Sequence, residues 1–274
     1  MTMVKSSLFF VLIVCSAHVQ AQFHTAASRS ELGVMLGGST YLGDLNQFIP
    51  FRQTHPAGGI LYRYNVNPRM AVRVNATYGR VSASDAQSTE ALNKARNLSF
   101  FSDIYEVGAG VEFNYFPFQL GNDRYRGTAY ILAELAVFRM NPKTMYNGSE
   151  VALRPLGTEG QGTSLNSKGH YNLTQISIPL GVGAKISLGD RAGLNFEIGI
   201  RKTFTDYLDD VGADGYVDQE VLAAESGPLA AELSNLSGDR YGKRGNAATR
   251  DWYIFAGMMV TFSLGDPAKC MYKN

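Results

Sequence analysis

The sequence has few cysteines and no surplus of charge of either sign. Its two cysteines, Cys15 and Cys270, exclude a disulfide scaffold and a zinc site with several cysteine ligands. Its 25 basic and 24 acidic residues give a formal net charge of +1, and lysine is nowhere concentrated. A surface that binds nucleic acid needs clustered Lys and Arg to displace counterions from phosphates. We therefore expect no nucleic-acid partner.

Long hydrophobic runs are also missing after the N-terminus. The longest later run, Trp252–Val260, is far shorter than the ~20 residues of a membrane-spanning helix. The N-terminal run, residues 8–14, follows Lys5 and precedes small residues suited to signal cleavage at 19–21. We predict that residues 1–21 are a signal peptide for export.

Alternation of apolar and polar residues with a period of two is the dominant pattern of the remaining chain. It is clearest over residues 69–78, 105–115 and 175–188, and weaker in five further segments. These segments predict eight β-strands. They are 31–41, 56–65, 69–78, 105–115, 128–140, 175–188, 194–205 and 252–264. Pro179 lies inside the sixth strand and predicts a bulge or local break there, because proline has no N–H to donate.

The connections between these strands alternate in length. Short turns at 66–68, 117–127 and 189–193 follow the second, fourth and sixth strands. Long loops follow the odd-numbered strands, at 42–55, 84–97, 141–170 and 206–251. This asymmetry is typical of outer-membrane barrels. We predict an all-β fold: an eight-stranded antiparallel transmembrane β-barrel with short periplasmic turns and long extracellular loops, covering residues 22–264 and followed by a periplasmic tail, 265–274.

Alternation does not distinguish an inward from an outward apolar face, so a soluble barrel remains the alternative. The polar face carries five acids and five bases, a balance that suits a narrow lumen crossed by ion pairs. These residues are Glu31, Arg63, Arg69, Arg73, Glu106, Glu112, Glu134, Lys185, Glu197 and Arg201. Because eight strands enclose only enough space for side chains, we predict a plugged interior. Aromatic residues near strand ends are expected to form interfacial girdles. They are Tyr41, Tyr64, Tyr78, Tyr105, Tyr115, Phe116 and Trp252.

No segment predicts a catalytic, metal or cofactor site. His55 and His170 fall in predicted outer loops without a nucleophile or acid at a recognisable spacing. The acidic run 206–220 departs from a calcium-binding loop, since Val221 stands where a bidentate acid is needed. The glycine-rich segment 157–162 lacks the lysine of a phosphate-binding loop. Residues Val217 to Leu236 predict a short surface helix over the barrel mouth.

Several motifs together resemble one known family, the PorG-like outer-membrane barrels of the Bacteroidetes, which are associated with the type IX secretion system. The strand motifs are Glu31-Leu32-Gly33, Tyr41-Leu42-Gly43-Asp44-Leu45, Ile178-Pro179-Leu180-Gly181 and Asp251-Trp252-Tyr253. The loop motifs are Asn141-Pro142-Lys143, Leu153-Arg154-Pro155-Leu156-Gly157-Thr158-Glu159-Gly160-Gln161-Gly162, Thr205-Asp206-Tyr207-Leu208-Asp209-Asp210-Val211 and Arg244-Gly245-Asn246. The resemblance covers nearly the whole mature chain.

The resemblance implies a non-enzymatic barrel in outer-membrane lipid that anchors or organises a periplasmic ring made of a lipoprotein and its partner subunit. Such contacts must come from 22–30, the three short turns or the tail 265–274, where Cys270 could form an intermolecular disulfide. The loop motifs at 158–162 and 206–211 are expected to brace each other. The alternatives are a free-standing surface barrel for recognition or adhesion, and a lipid-modifying enzyme using His55 or His170.

Overall fold

The computed structural model of the protein describes residues 29–46, 49–238 and 242–264. The predicted signal peptide at 1–21 and the tail at 265–274 with Cys270 lie outside the described residues. No helix in the described part of the chain is long and apolar enough to cross a membrane.

Eight long strands form a closed antiparallel barrel, as the alternation predicts. The wall strands are β1 (Ser30–Leu42), β2 (His55–Asn67), β3 (Met70–Ser84), β4 (Ser99–Asn114), β5 (Gly127–Arg139), β8 (Thr174–Ser187), β9 (Ala192–Thr203) and β10 (Trp252–Ser263). The wall runs in the order β3-β2-β1-β10-β9-β8-β5-β4, and pairing of β3 with β4 closes it. Two shorter strands, β6 (Lys143–Tyr146) and β7 (Ser149–Ala152), form a hairpin in the loop after β5. The hairpin contacts β4 through the Phe101–Lys143 pair and a hydrogen bond between the Ser99 and Thr144 hydroxyls.

The barrel is inside-out relative to a water-soluble protein. Leu36 and Leu135 face outward and are 70% and 68% exposed, whereas Arg63 and Glu112 face inward and are 0% and 1% exposed. Such an apolar outer wall is stable only in an apolar medium. The barrel is therefore a membrane-spanning fold, and the soluble alternative is wrong.

The two ends of the barrel differ as predicted. One end carries the short connections after β2, β4 and β8. The first residue of β1, Ser30, and the last residue of β10, Ser263, lie at the same end. We call this end the turn face. The other end carries the four long loops, which we call the cap: 43–54, 85–98, 140–173 and 204–251.

The outer wall has tyrosines of the predicted girdles near both boundaries of its apolar band. Tyr64 and Tyr115 are exposed towards the turn face, and Tyr78 and Tyr105 pack together towards the cap with ring centroids 5.1 Å apart. The 15 residues of β3 exceed the 9 to 11 that cross a bilayer, so β3 continues above the membrane.

The cap contains more regular structure than the sequence predicts. A single helix was expected over 217–236, but there are two, α2 (Gln219–Ser226) and α3 (Pro228–Ser234), preceded in the chain by α1 (Ala91–Arg96). The break falls at Gly227, whose φ of 96° is outside the helical region, followed by a proline that starts the next helix.

Pro179 does not produce a bulge. The register between β5 and β8 is the same on either side of it, with Ala133 opposite Leu180 and Ala136 opposite Ser177. Only the two pairs between them are interrupted, because they need the N–H that proline lacks. The sequence predicts a bulge or a local break at Pro179, and the structure has the local break.

Candidate functional site

The inward-facing charges form a stack of ion pairs along the lumen, starting near the turn face. Arg63 donates from one terminal nitrogen to Glu31 at 2.9 Å and from Nε to Glu112 at 3.1 Å. Lys185 donates to the second oxygen of the same Glu112 carboxylate. These four side chains come from β2, β1, β4 and β8, so the pairs connect opposite sides of the wall.

The middle of the stack is centred on Arg73. Its Nε lies 2.8 Å from Glu134 Oε1, and a terminal nitrogen lies 2.6 Å from Glu197 Oε2. The Tyr130 hydroxyl donates to the same Glu197 oxygen at 2.7 Å. All four side chains are buried and fill the lumen, and the Arg73 cation compensates the charge of the two carboxylates.

The level nearest the cap joins Arg201 to Glu106. Arg201 Nε lies 3.3 Å from Glu106 Oε1, and the Tyr253 hydroxyl donates to the other oxygen at 2.5 Å. The Arg201 guanidinium also lies over the ring of Phe255, 4.8 Å from its centroid.

Arg69 is the one predicted lumen residue that lies elsewhere. It is exposed on the turn face, and its terminal nitrogen donates to the Tyr115 carbonyl at 2.8 Å. It precedes the first residue of β3, Met70, so the alternation does not determine its direction. The lumen therefore holds five carboxyl groups and four cationic side chains.

An apolar layer closes the barrel above this stack. Tyr41 packs edge-on against Phe100, with ring centroids 4.8 Å apart. The other buried members include Ile104, Phe138, Met140 and Leu208. Tyr41 was expected in an interfacial girdle, but it shares the inward register of Glu31 and Met35 and is fully buried.

Tyr41 begins the polar network that holds the cap together. Its hydroxyl oxygen lies 2.5 Å from Asp209 Oδ2 and 2.7 Å from Asp251 Oδ1. Because a hydroxyl has only one proton to donate, one of the two carboxyls must be protonated and donate in return. Burial and the mutual repulsion of the two carboxylates raise the pKa of Asp209, and burial is also the main cause that raises the pKa of Asp251.

Arg244 is the centre of the cap network. Its guanidinium donates to Glu159, to the Asp210 carbonyl at 3.0 Å and to the Thr158 hydroxyl at 3.1 Å. Thr158 in turn donates to the Asp210 carboxylate, and Glu159 accepts the backbone N–H groups of Gly212 and Ala213 at 2.9 Å. The two predicted loop motifs, 158–162 and 206–211, are thus in direct contact.

The other motif residues support this contact. Gln161 accepts the backbone N–H of Glu159 at 3.0 Å. Gly160 and Gly162 have φ of 74° and 83°, which favour glycine. Tyr207 stacks on Tyr171 with parallel rings 4.7 Å apart, and Leu208 and Val211 are buried in the apolar core.

A second buried arginine, Arg96, joins the first two cap loops to the last. It makes a bidentate pair with Asp85, with both nitrogen–oxygen distances 2.7 Å, and donates to the carbonyls of Asp44 and Arg244. All four long loops are therefore connected through two arginines. The sequence has no local pattern that indicates the pairing of Arg96 with Asp85, because both residues lie in the predicted loop 84–97.

Acidic groups in the cap have raised pKa values. Burial raises the pKa of Asp206 to about 7, with a further increase from nearby Asp44, although Arg250 opposes it. Burial raises the pKa of Asp210 to about 6 against the lowering effect of Arg244. Near neutral pH the cap therefore takes up or releases protons.

The histidines do not form a catalytic arrangement. His55 Nε2 lies 2.7 Å from the Ser82 hydroxyl, but that hydroxyl donates its proton to Gln53 at 2.6 Å, so the histidine does not activate it. His170 is exposed near Gly157 and Gly162. Among the described residues, no group of three or more His, Cys, Asp or Glu side chains could hold a metal ion.

The cap has two cavities next to its network, and the larger, about 290 Å³, is lined by Arg96, Tyr216 and Lys243 among others. The cavity beside Asp209 and Arg244 measures about 20 Å³, which is no more than a single water molecule requires. The arrangement can hold loops in place and exchange protons.

These features define the class of protein: an integral membrane β-barrel whose lumen is filled by ion pairs and whose mouth is closed by a braced cap. The sequence matches the family described as a domain of unknown function, DUF6089, over residues 5–219. The chain belongs to that family. No curated protein matches the sequence.

Solved outer-membrane proteins with a similar fold cover most of the chain at low identity. Neisserial surface protein A of Neisseria is 10% identical, with a TM-score of 0.44, covering 87% of this chain and 99% of its own. A major outer-membrane protein of Thermus thermophilus is 10% identical, with a TM-score of 0.39, covering 85% and 98%. The attachment invasion protein Ail of Yersinia pestis, solved with a heparin analogue, is 11% identical, with a TM-score of 0.37, covering 85% and 95%. At these values the likeness carries no conclusion about activity or partners.

Proposed function

We propose that the protein is a non-enzymatic outer-membrane component of the type IX secretion system that anchors or organises its periplasmic lipoprotein ring. The observation that carries this proposal is the closure of the barrel at three levels: the ion-pair stack, the apolar layer and the braced cap. A barrel closed in this way offers no passage for cargo, so its work is done by its surfaces.

The motifs that resemble the PorG-like family support the same reading. Two of them, 158–162 and 206–211, form the internal brace of the cap, which explains why these residue types occur together. Export by the predicted signal peptide and insertion in the outer membrane are part of the proposal. A lipid-modifying enzyme receives no support from His55 or His170.

Contact with a periplasmic ring requires exposed groups on the turn face. Arg124 is exposed there, beside Tyr125, in the longest of the three turns. A photo-crosslinking amino acid at Arg124 in the full-length protein in its own membrane tests the proposal. We expect crosslinks to the ring lipoprotein or its partner subunit.

The matched control is the same crosslinker at Leu92, which is 84% exposed on α1 in the cap. We expect no periplasmic crosslink from this position. Crosslinks to a partner from Leu92 alone would contradict the proposal and favour recognition at the cell surface. Deletion of 265–274 with unchanged recovery of the ring proteins would exclude the tail and Cys270 as the contact.

A further inference from the structure

The lipid-facing wall has an apolar groove in the half nearest the turn face. The groove has a volume of about 920 Å³ and crosses the outer side of β4, β5, β8, β9 and β10. Small side chains, Ala129, Ala184 and Ala256, alternate with the larger Tyr115, Phe196 and Met258. Barrel walls are convex, so this concavity comes from the alanines between larger side chains.

A second groove of about 680 Å³ shares part of this lining. Ile131, Val182 and Ile198 border both grooves. The combined surface is apolar and lies within the outward band that faces lipid, so its occupant must be an apolar chain. Hydrocarbon chains of membrane lipids have this chemistry and are present at this depth.

Two arginines, Arg69 and Arg126, lie in the turns next to the end of the groove that is nearest the turn face. Arg69 donates to the carbonyl of Tyr115, which lines the groove, and its other guanidinium nitrogens have no partner among the described residues. Arg126 is three residues before Ala129, and Ala129 also lines the groove. Arg126 Nε lies 3.5 Å from Asp123 Oδ1, but both side chains are highly exposed, so this ion pair is weak.

Within the described residues, the turn face has more exposed positive than negative side chains. They are five arginines and two aspartates: Arg29, Arg69, Arg124, Arg126, Arg191, Asp123 and Asp190. Guanidinium groups bind phosphate with two parallel hydrogen bonds, and at a membrane surface they attract anionic headgroups. The formal net charge of the chain, only +1, hides this local excess.

We propose that the groove binds an anionic phospholipid of the periplasmic leaflet, with its acyl chains along the alanines and its phosphate held by Arg69 and Arg126. The apolar lining and the adjacent cations together match the two parts of such a lipid. An acidic protein would use the arginines but would leave the groove, which faces the bilayer, unoccupied.

Native mass spectrometry of the full-length protein, released from detergent with equimolar phosphatidylglycerol and phosphatidylethanolamine, tests this inference. We expect the wild-type protein to retain phosphatidylglycerol at least fivefold more often. The double variant Arg69→Gln/Arg126→Gln should lose the preference, whereas Arg139→Gln, an exposed arginine at the cap end of β5, should keep it. Equal retention of both lipids by the wild-type protein, or equal loss in the Arg139→Gln control, would overturn the proposal.

The groove itself is tested by Ala129→Trp, which fills it, against Ala76→Trp, an outward-facing alanine on β3 outside its lining. We expect Ala129→Trp to reduce retention of both lipids and Ala76→Trp to leave it unchanged. Heat-modifiable mobility on gels verifies that each variant is folded. If the double arginine variant loses crosslinks to a protein partner but keeps its lipid preference, the arginines serve the partner and the lipid site is disproved.

Discussion

At the scale of single residues, buried arginines with several partners hold the loops of the cap in place. Arg244 is 2% exposed and contacts Glu159, Thr158 and the Asp210 carbonyl. Burying an ion pair costs desolvation, and the loss of one partner leaves the other charge uncompensated. The cap is therefore sensitive to changes that look conservative in the sequence.

Replacement of Arg244 by glutamine should loosen the cap without unfolding the barrel. It leaves the Glu159 carboxylate buried without its cation, a local cost of about 3–5 kcal/mol. Hydrogen exchange of the segments 157–166 and 206–214 measures the effect, and both should exchange faster. Arg250→Gln is the matched control, since that guanidinium is about half exposed and 3.3 Å from Asp206, and its loss should cost under about 1 kcal/mol. Equal protection in wild type and Arg244→Gln would contradict the assigned role.

The raised pKa values of Asp206 and Asp210 make cap stability depend on pH. Both carboxyls bind a proton more tightly in the folded cap than in the unfolded chain, where the pKa is about 4. Protons thus favour the folded cap, and its stability should fall as pH rises through about 6 and about 7. Exchange rates of 206–214, corrected for intrinsic pH dependence, should be higher at pH 8 than at pH 5.5.

Asp206→Asn removes the group that titrates nearest neutrality and should flatten this dependence above pH 6. Asp123→Asn, an exposed aspartate on the turn face, is the control and should leave the dependence unchanged. A cap that becomes more protected as pH rises would show that the sign is wrong.

At the scale of secondary-structure elements, ion pairs across the lumen connect strands that are not neighbours in the wall. Arg73 of β3 contacts Glu134 of β5 and Glu197 of β9. Hydrogen bonds between adjacent strands fix the wall, while these contacts fix the separation of its opposite sides. The lumen charges thus perform the packing role that apolar side chains perform in a soluble barrel.

Arg73→Met should lower the free energy of unfolding of the barrel by about 3–5 kcal/mol, because two buried carboxylates lose their cation. Urea unfolding in detergent, followed by tryptophan fluorescence, measures it. The double variant Arg73→Met/Glu197→Gln should recover part of the loss. Arg69→Met is the control, since Arg69 is exposed on the turn face, and a loss equal to that of Arg73→Met would refute the lumen assignment.

The strands could be predicted from the sequence because inward and outward residues alternate along most of the wall, as in β3 and β5. The upper parts of β3 and β4 were missed because their outward residues, such as Arg80 and Asp103, are polar and pair with each other above the apolar band. The β6–β7 hairpin had an overlooked signal, since Asn147-Gly148 suits the positive φ values of a tight turn.

The site was less predictable, because its contacts join distant parts of the chain. Tyr41 and Asp251 are 210 residues apart, and Arg244 and Glu159 are 85 apart. The motifs indicated which loops matter, but pairing within them depends on the closed barrel that brings the loops together. Arg69 was misplaced because a period cannot be extended beyond the end of a strand.

At the scale of the whole molecule, we expect that the barrel does not conduct ions. The lumen stack, the apolar layer and the cap each close it, and eight strands leave no space for a channel beside filled side chains. In planar bilayers the purified protein should give no stable conductance steps. Regular steps from the wild-type protein would indicate that the lumen opens.

In the proposed anchoring function, partners bind the turn face of the molecule from the periplasm. Gentle extraction of the tagged protein from its own outer membrane, followed by mass spectrometry of the co-purifying proteins, is the most direct test. We expect a periplasmic lipoprotein and its ring partner in fixed stoichiometry with the barrel. Recovery of the barrel alone, under conditions that preserve other outer-membrane assemblies, would contradict the anchoring role.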